Sequence, residues 1–328
     1  MTTTRERVDV DRAAETDSAT EADPATETSP AVATDSAAES EPKTGPRRVC
    51  LLADPYLERW QIRALERAVE RTDIEIPLVL VAAPTDPGVD PDAAASAING
   101  GLGADTIRLG ASLLARERAW SLVVAERKLA ELFGDESHPL EHRRRVGTID
   151  CLESSTIRRV RPIEDGNWNE LPESAVEAAT DQCDVVVRFG FGLVRGDILT
   201  ATEHGVLSFH PADIRRYRGL GPPKAFVDDR SSIGATLQRL TDEIDGGEIV
   251  AEDWIDIDDC ATLWEVYDRV HELEIELLAT GIESLREPTF EPTVPDSLGS
   301  YYSTKSRREA GFAVRTLAKN VRGRLDRR

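Results

Sequence analysis

Residues 185–187 are three consecutive valines inside CDVVVRFGFG (183–192), with no polar side chain between them. A strand that is apolar on both sides must be covered on both faces, which is the condition of a central strand in a parallel sheet flanked by helices. Similar runs recur as VCLLA (49–53), within IEIPLVLVAA (74–83) and as GVLSFH (205–210). Between the first two of these lies a helical pattern that puts Trp60, Ala64, Leu65 and Ala68 on one face. Strand, helix and strand in that order are the sequence form of a parallel βαβ unit.

Further along, ESAVEAATDQ (173–182) reads as a helix and GDILTATEH (196–204) as a shorter one. SIGATLQRL (232–240) and GEIVAEDWIDI (247–257) alternate as strands around the turn TDEIDGG (241–247). Leu263, Val266, Val270, Leu273 and Leu277 repeat at helical spacing, so 262–285 is expected to be a long amphipathic helix. The stretch 106–134 is expected to be another. An α/β body of mostly parallel sheet, with helices on both faces, is therefore expected over 47–288.

The flanks differ from this body. Residues 1–45 hold eleven acids and four bases among Ala, Thr, Ser and Pro. Such a segment buries too little apolar surface to offset its ordering entropy, so an acidic disordered tail is expected over 1–46. Residues 301–328 invert the charge, with nine bases and two acids. Ala310, Val314, Leu317, Val321 and Leu325 fall on one helical face there. Thus 289–328 reads as a linker and a basic amphipathic helix. That helix suits docking on the acidic body or a partner, with an anionic membrane or RNA as alternatives.

The formal charge is −21, and only five of the 40 bases are lysines. That composition suggests a surface suited to concentrated salt, a halophilic trait, and argues against nucleic acid as a general partner. Cys50, Cys151, Cys183 and Cys260 are too dispersed for a metal site or a disulfide framework. No run is long and apolar enough to span a membrane, and MTTTRERVDV lacks the apolar core of a signal peptide. A cytoplasmic protein is expected.

In an open α/β sheet, ligands gather beyond the carboxyl ends of the strands. Three segments are expected to meet there: RFGFGLV (188–194), SFHPADIRRYRG (208–219) and TDEIDGG (241–247). Ser208 and His210 are two apart in a strand, so they share a face. A carboxylate at Asp245 would orient His210, and a hydroxyl at Ser208 could donate to a developing oxyanion. These groups suit acyl transfer to an amine. From the residues alone, a structural strand-end histidine is the competing reading.

The stretch 184–257 resembles the catalytic domain of the formyltransferases that use 10-formyltetrahydrofolate. Its counterparts to the family pattern are DVVVRFGFGLVRGDIL, GVLSFHPADIRRYRG, IGATLQ and DEIDGGEIV. The resemblance implies a Rossmann-like formyltransferase domain that moves a formyl group to the primary amine of a small acceptor, a sugar amine or a ribonucleotide amine, with no metal. By position, it implies catalytic roles for His210 and Asp245, with Ser208 where the family has asparagine. It implies that Phe189, Gly190, Phe191 and Leu193 line the folate pocket, and that Asp242, Glu243 and Ile244 approach the pterin. Tyr217, Arg218 and Gly219 match the family's Y-R-G. From their charge, Arg215, Arg216 and Arg218 either contact an anionic acceptor, with Tyr217 and Gly219 beside them, or pair with the acidic surface. Serine is shorter than asparagine, so a partner donor or a water is needed beside Ser208. A hydrolase of the same donor, and a folate-binding protein without catalysis, are the alternative readings.

Other candidates read as structural. Gly100–Gly103 is a flexible turn rather than a phosphate loop. His138, Glu141 and His142 lie close, but His138 precedes Pro139 in a loop, which argues against a metal site, and Glu248 and Glu252 read as solvent-facing charges.

Overall fold

The structure is a computed structural model that describes residues 45–83, 92, 95, 99, 117–132 and 138–327. The acidic tail up to residue 44, the Gly100–Gly103 turn and the start of the helix expected from 106 lie outside the described residues.

The central sheet comprises β1 (Arg48–Ala53), β2 (Glu75–Ala82), β3 (Thr156–Val160), β4 (Val185–Arg188), β5 (Val206–His210), β6 (Ser232–Arg239) and β7 (Glu248–Asp256). Their order across the sheet is β7-β6-β5-β4-β1-β2-β3. The pairs from β5 to β3 are parallel, whereas β6 runs antiparallel to both β5 and β7. The chain winds outward from β1 through β2 to β3, then returns to the other side of β1 for β4. The direction of winding therefore reverses between β1 and β4.

Six helices matter to the architecture: α1 (Arg59–Thr72), α2 (Trp120–Leu132), α3 (Glu173–Gln182), α4 (Gly221–Val227), α5 (Leu263–Arg286) and α6 (Ala310–Asp326). Alternating residues of β1 enter two cores. Val49, Leu51 and Ala53 pack with Leu65 of α1 and Val270, Leu277 and Ile282 of α5. Cys50 and Leu52 pack on the opposite face with Ala175, Ala178 and Ala179 of α3. The expected α/β body with both faces covered is present. Each fully buried leucine here contributes about 1.5–3 kcal/mol of transfer free energy.

Strand β3 escapes sequence reading. Its TIRRV has four of five residues exposed, so neither a buried run nor a clean alternation marks it. As an edge strand it relies on backbone pairing to β2, and its arginines blunt the open edge.

The C-terminal segment packs onto this body. Ser300–Tyr302 pairs in parallel with Tyr217–Gly219, and α6 lies against α2 and α4. The face it buries differs from the apolar stripe in its sequence. Phe312, Ala313, Thr316 and Asn320 point inward, while Val314 and Leu325 are 56% and 64% exposed. The cause is polar. Asn320 Oδ1 accepts the Leu263 backbone N–H at 2.9 Å, at the first turn of α5, and its Nδ2 donates to Glu126 at 3.0 Å. Three ion pairs add to this seat: Arg324–Glu126, Arg327–Glu265 and Lys319–Asp229.

Replacing Asn320 by alanine leaves the buried Leu263 N–H without its acceptor. Urea unfolding of Asn320→Ala is expected to show a loss of about 1–3 kcal/mol with an unchanged m value.

Candidate functional site

Register decides which side chains meet. Ser208 pairs with Arg188 across β4–β5 and with Gln238 across β5–β6, and His210 pairs with Thr236. Partners in register share a face, as do residues two apart in one strand. One face thus carries Arg188, Ser208, Gln238, His210 and Thr236. Ser208, Gln238 and Thr236 are fully buried and His210 is nearly so. Buried polar groups need partners; within this row only Arg188 and Ser208 bond to each other, while Thr236 donates to the Ala212 carbonyl and Gln238 and His210 meet groups outside the row.

Arg188 is the centre of the row. Its Nη2 and Nε donate to Ser208 Oγ at 2.7 and 3.1 Å, and its Nη1 donates to the Gly192 carbonyl. Burial pulls the guanidinium below its ordinary pKa, while the charges of Asp245 and Asp54 oppose that shift. Gln238 Oε1 accepts the Gly247 N–H at 2.9 Å. Its Nε2 is buried without a hydrogen-bond partner among the described residues.

Asp245 arrives from an unexpected direction. Because β6 is antiparallel, the 240–247 connection starts at the opposite end of the sheet from His210. It folds back over the polar face instead. Asp245 Oδ1 lies 3.5 Å from His210 Nδ1, and Asp245 Oδ2 accepts the Gly219 N–H at 2.8 Å. A Cβ on Gly247 would sit 2.2 Å from the Arg239 carbonyl oxygen, so the tight return needs glycine. Burial raises the Asp245 pKa, but the His210 hydrogen bond and charge, the Gly219 N–H and Arg188 outweigh it and hold the carboxyl below its usual value.

His210 Nε2 lies 2.7 Å from the Tyr217 carbonyl oxygen, so that nitrogen carries a hydrogen and donates. Both ring nitrogens are thus engaged by protein atoms. The side chain is positioned from two sides rather than presented openly.

At the reversal between β1 and β4, the two strand ends touch. A Cβ on Gly190 would lie 2.3 Å from the Asp54 nitrogen, a distance only glycine permits. Asp54 Oδ1 accepts the Phe191 N–H at 3.2 Å. Asp54 keeps an exposed side, yet loss of water around its carboxyl raises the pKa more than Phe191 N–H, Arg143 and Arg188 lower it. Phe191 and Asp245 both have left-handed backbones, with φ of 67° and 46°. A phenylalanine at such a φ is strained by about 1–3 kcal/mol, and such strain clusters at functional sites.

Several residues expected at the site have other duties. Phe189 stacks on Phe209 with ring centroids 5.4 Å apart, and Trp60 sets its edge against both. That aromatic group packs with the core opposite the polar row. The Phe191 ring is buried in the second core, so only its backbone stands at the site. Leu193 pairs with Trp168 in a small separate sheet. Asp242 and Glu243 are exposed, and Ile244 is half-buried.

The arginines after His210 have protein partners, the second of the two readings given for them. Arg215 pairs with Asp213 and Glu252. Glu252 is thereby an ion-pair partner rather than a free surface charge, and Glu248 likewise pairs with Arg239. Arg218 donates to the Gly299 and Ile244 carbonyls at 2.9 and 3.2 Å and to Glu243 at 2.6 Å. It clamps the loop that carries Asp245. The Tyr217 hydroxyl donates to Asp228 at 3.0 Å and accepts from Arg230 at 2.7 Å. Outside the row, His138 Nδ1 lies 2.6 Å from Asp268 Oδ2. No group of three or more potential metal ligands occurs among the described residues. No described helix is long and apolar enough to cross a membrane.

Two site residues, Arg188 and Asp54, were not singled out from the sequence. Their placement was the only signal: Arg188 ends one apolar central strand and Asp54 directly follows another, where a charge must find partners.

Comparison with known proteins now bears on this geometry. Residues 159–282 match the formyl transferase family. They span β3 at its last residues through most of α5, and contain every residue of the polar row. The methionyl-tRNA formyltransferase of Treponema pallidum (strain Nichols) is 29% identical over 141 residues, 42% of this chain and 44% of that protein. That of Rickettsia africae (strain ESF-5) is 30% identical over 130 residues, 39% and 41%. The chain therefore matches less than half the length of these relatives. Among solved structures, an N-formyltransferase from Helicobacter canadensis in complex with folinic acid and dTDP-3-aminofucose aligns with a TM-score of 0.45 at 12% identity, covering 79% of this chain and 72% of that one. Glycinamide ribonucleotide transformylase 1 from Symbiobacterium toebii aligns with a TM-score of 0.43 at 15% identity, covering 74% and 88%. The resemblance read in 184–257 thus lies inside the segment that matches the formyl transferase family.

The Asp245 carboxyl is depressed in the folded state, so its contribution is present above the unfolded value and is lost as pH falls through the folded one. The stability gap between wild type and Asp245→Asn should be about 1–3 kcal/mol at pH 7. It should close progressively below about pH 4. Urea unfolding at several pH values measures it.

Proposed function

We propose that this protein transfers a formyl group from 10-formyltetrahydrofolate to the primary amine of a small molecule. The observation that carries the reading is the convergence of Arg188, Ser208, His210 and Asp245 on one face within a segment matching the formyl transferase family. The donor set fits a carbonyl group. Arg188 and Ser208 offer N–H and O–H groups, and the buried Gln238 Nε2 is a further donor with no protein acceptor among the described residues. The backbone of the 242–246 loop and the strand ends at Asp54 and Gly190 are the surfaces that would hold the folate. Bound there, the folate supplies an activated formyl carbon.

The protein's share is positioning and charge. As the amine attacks, its nitrogen must lose a proton while the formyl oxygen gains negative charge. Fixed donors stabilise such an oxygen without reorganising, an effect of about 10²–10³ in rate per donor. Asp245 stays ionised and holds His210 by Nδ1. With Nδ1–H held by Asp245, His210 can accept a proton only at an Nε2 that carries none, so Nε2 must give up both its hydrogen and the Tyr217 carbonyl before it serves as base. A small acceptor suits the site better than a nucleic acid, because Arg215 and Arg218 are neutralised by carboxylates and the net charge is −21.

The test is an assay in molar salt with 10-formyltetrahydrofolate and a panel of amino sugars, nucleotide-linked amino sugars and ribonucleotide amines. Tetrahydrofolate formation and the formylated product are followed together. His210→Ala should lower the rate by about 10²–10⁴. Formate release at an equal rate with no amine would replace transfer by hydrolysis. Absence of folate binding by folded protein would end the reading.

A further inference from the structure

Arg188 is the one charged side chain of the β4 run, and it is set where a ligand of an α/β sheet binds, beside the reversal between β1 and β4. A guanidinium has five N–H donors in a rigid plane. Two of Arg188's point at Ser208 Oγ and one at the Gly192 carbonyl. Those contacts use three of the five N–H groups and leave two without a hydrogen bond to the described residues. Burying a guanidinium is costly, and a neutral residue would tie Ser208 to Gly192 at lower cost. Here the charge is kept in place by two carboxylates, Asp54 and Asp245, from different segments.

Ser208 points the same way. Its oxygen accepts from Arg188 twice, so its own O–H is left to donate, and its nearest protein acceptor is the Phe209 carbonyl at a long 3.5 Å. A hydroxyl that accepts charged hydrogen bonds becomes a stronger donor in turn. Serine alone is a short, single donor. Serine polarised by an adjacent guanidinium is a two-group donor site for one oxygen.

We propose that Arg188 is a catalytic residue, its guanidinium acting with the Ser208 hydroxyl to hold the formyl oxygen while that oxygen gains charge. This rests on the formyl-transfer reading above. The amine lone pair forms the new nitrogen–carbon bond as the C=O π pair moves onto the oxygen between Arg188 and Ser208. When that pair returns, the bond from carbon to the folate nitrogen breaks and its electrons stay on that nitrogen. The proton lost by the amine passes through His210 to the leaving nitrogen, and the protein ends unchanged.

The experiment compares calorimetric binding of 10-formyl-5,8-dideazafolate with that of 5,8-dideazafolate, which lacks the formyl group. The full chain, Arg188→Gln and Arg188→Lys are measured in molar salt, with thermal unfolding as the check on folding. The lysine variant keeps the positive charge between Asp54 and Asp245 and loses the planar fork. Wild type should prefer the formyl compound by on the order of tenfold to a hundredfold, the ratio expected of a charge-assisted hydrogen bond. Both variants should bind the unformylated compound as wild type does and lose that preference. If either folded variant keeps the wild-type preference, or if wild type binds the two compounds equally, Arg188 does not hold the formyl oxygen. If wild type binds neither, formyl transfer itself fails and the role of Arg188 falls with it.

Discussion

The carboxylate of Asp245 joins segments that would otherwise have no reason to meet. It faces His210 at the end of β5, accepts the Gly219 N–H from the loop beyond, and balances the charge of Arg188 at the end of β4. It can do so only because the connection from β6 folds back over the sheet and adopts a left-handed backbone at Asp245 itself. A short loop under that constraint needs external support. Arg218 provides it through the Ile244 carbonyl and Glu243 on one side and the Gly299 carbonyl on the other. The short pairing of Tyr217–Gly219 with Ser300–Tyr302 then anchors this clamp to the C-terminal segment. The site is thus stabilised by a segment distant from it in the chain.

In an acidic protein rich in arginine, the cations near a site are natural ligand contacts. Most of those around this site serve the protein instead. Arg215 and Arg218 beside the site face carboxylates, as do Arg239, Arg324 and Arg327 elsewhere in the fold, several of them partly sheltered. Exposed ion pairs contribute little and are screened by salt, but guanidinium forks add hydrogen-bond geometry that screening does not remove. This division explains why the arginine-rich loop 215–218 is rigid scaffold. Arg188 differs in kind: its fork is spent on a hydroxyl and a carbonyl, and its charge is balanced at a distance.

Much of the fold was legible because burial on both faces leaves a clear mark. β1, β2 and β4 are built on apolar runs and β5 opens on one, and α3 and α5 form where helices were read. β3 was not legible, since an arginine-rich edge strand has no hydrophobic pattern to display. Nor was the buried face of α6. Its larger apolar residues suggested one stripe, but Asn320 satisfies the first turn of α5 and turns the helix toward Phe312 and Ala313. At the site, Ser208, His210 and Asp245 were readable from spacing and resemblance. Arg188 was hidden by its place in an apolar strand, where only register shows that it stands beside Ser208.

Under the proposed formyl transfer, charge balance at the site bears on the amine. Arg188 contributes a positive charge, while Asp54 and Asp245 oppose it. The two carboxylates outnumber the guanidinium, so the group as a whole does not repel a cationic amine, and only close approach to Arg188 disfavours one. The neutral amine is the nucleophilic form. In the proposed reaction the guanidinium would favour an oxygen becoming negative. Asp245 offsets part of the Arg188 charge, and its carboxylate faces His210, the group proposed to take the amine proton. Under that proposal, stabilisation of the oxygen and removal of the proton would fall to three groups held at the ends of β4 and β5 and in the β6–β7 loop.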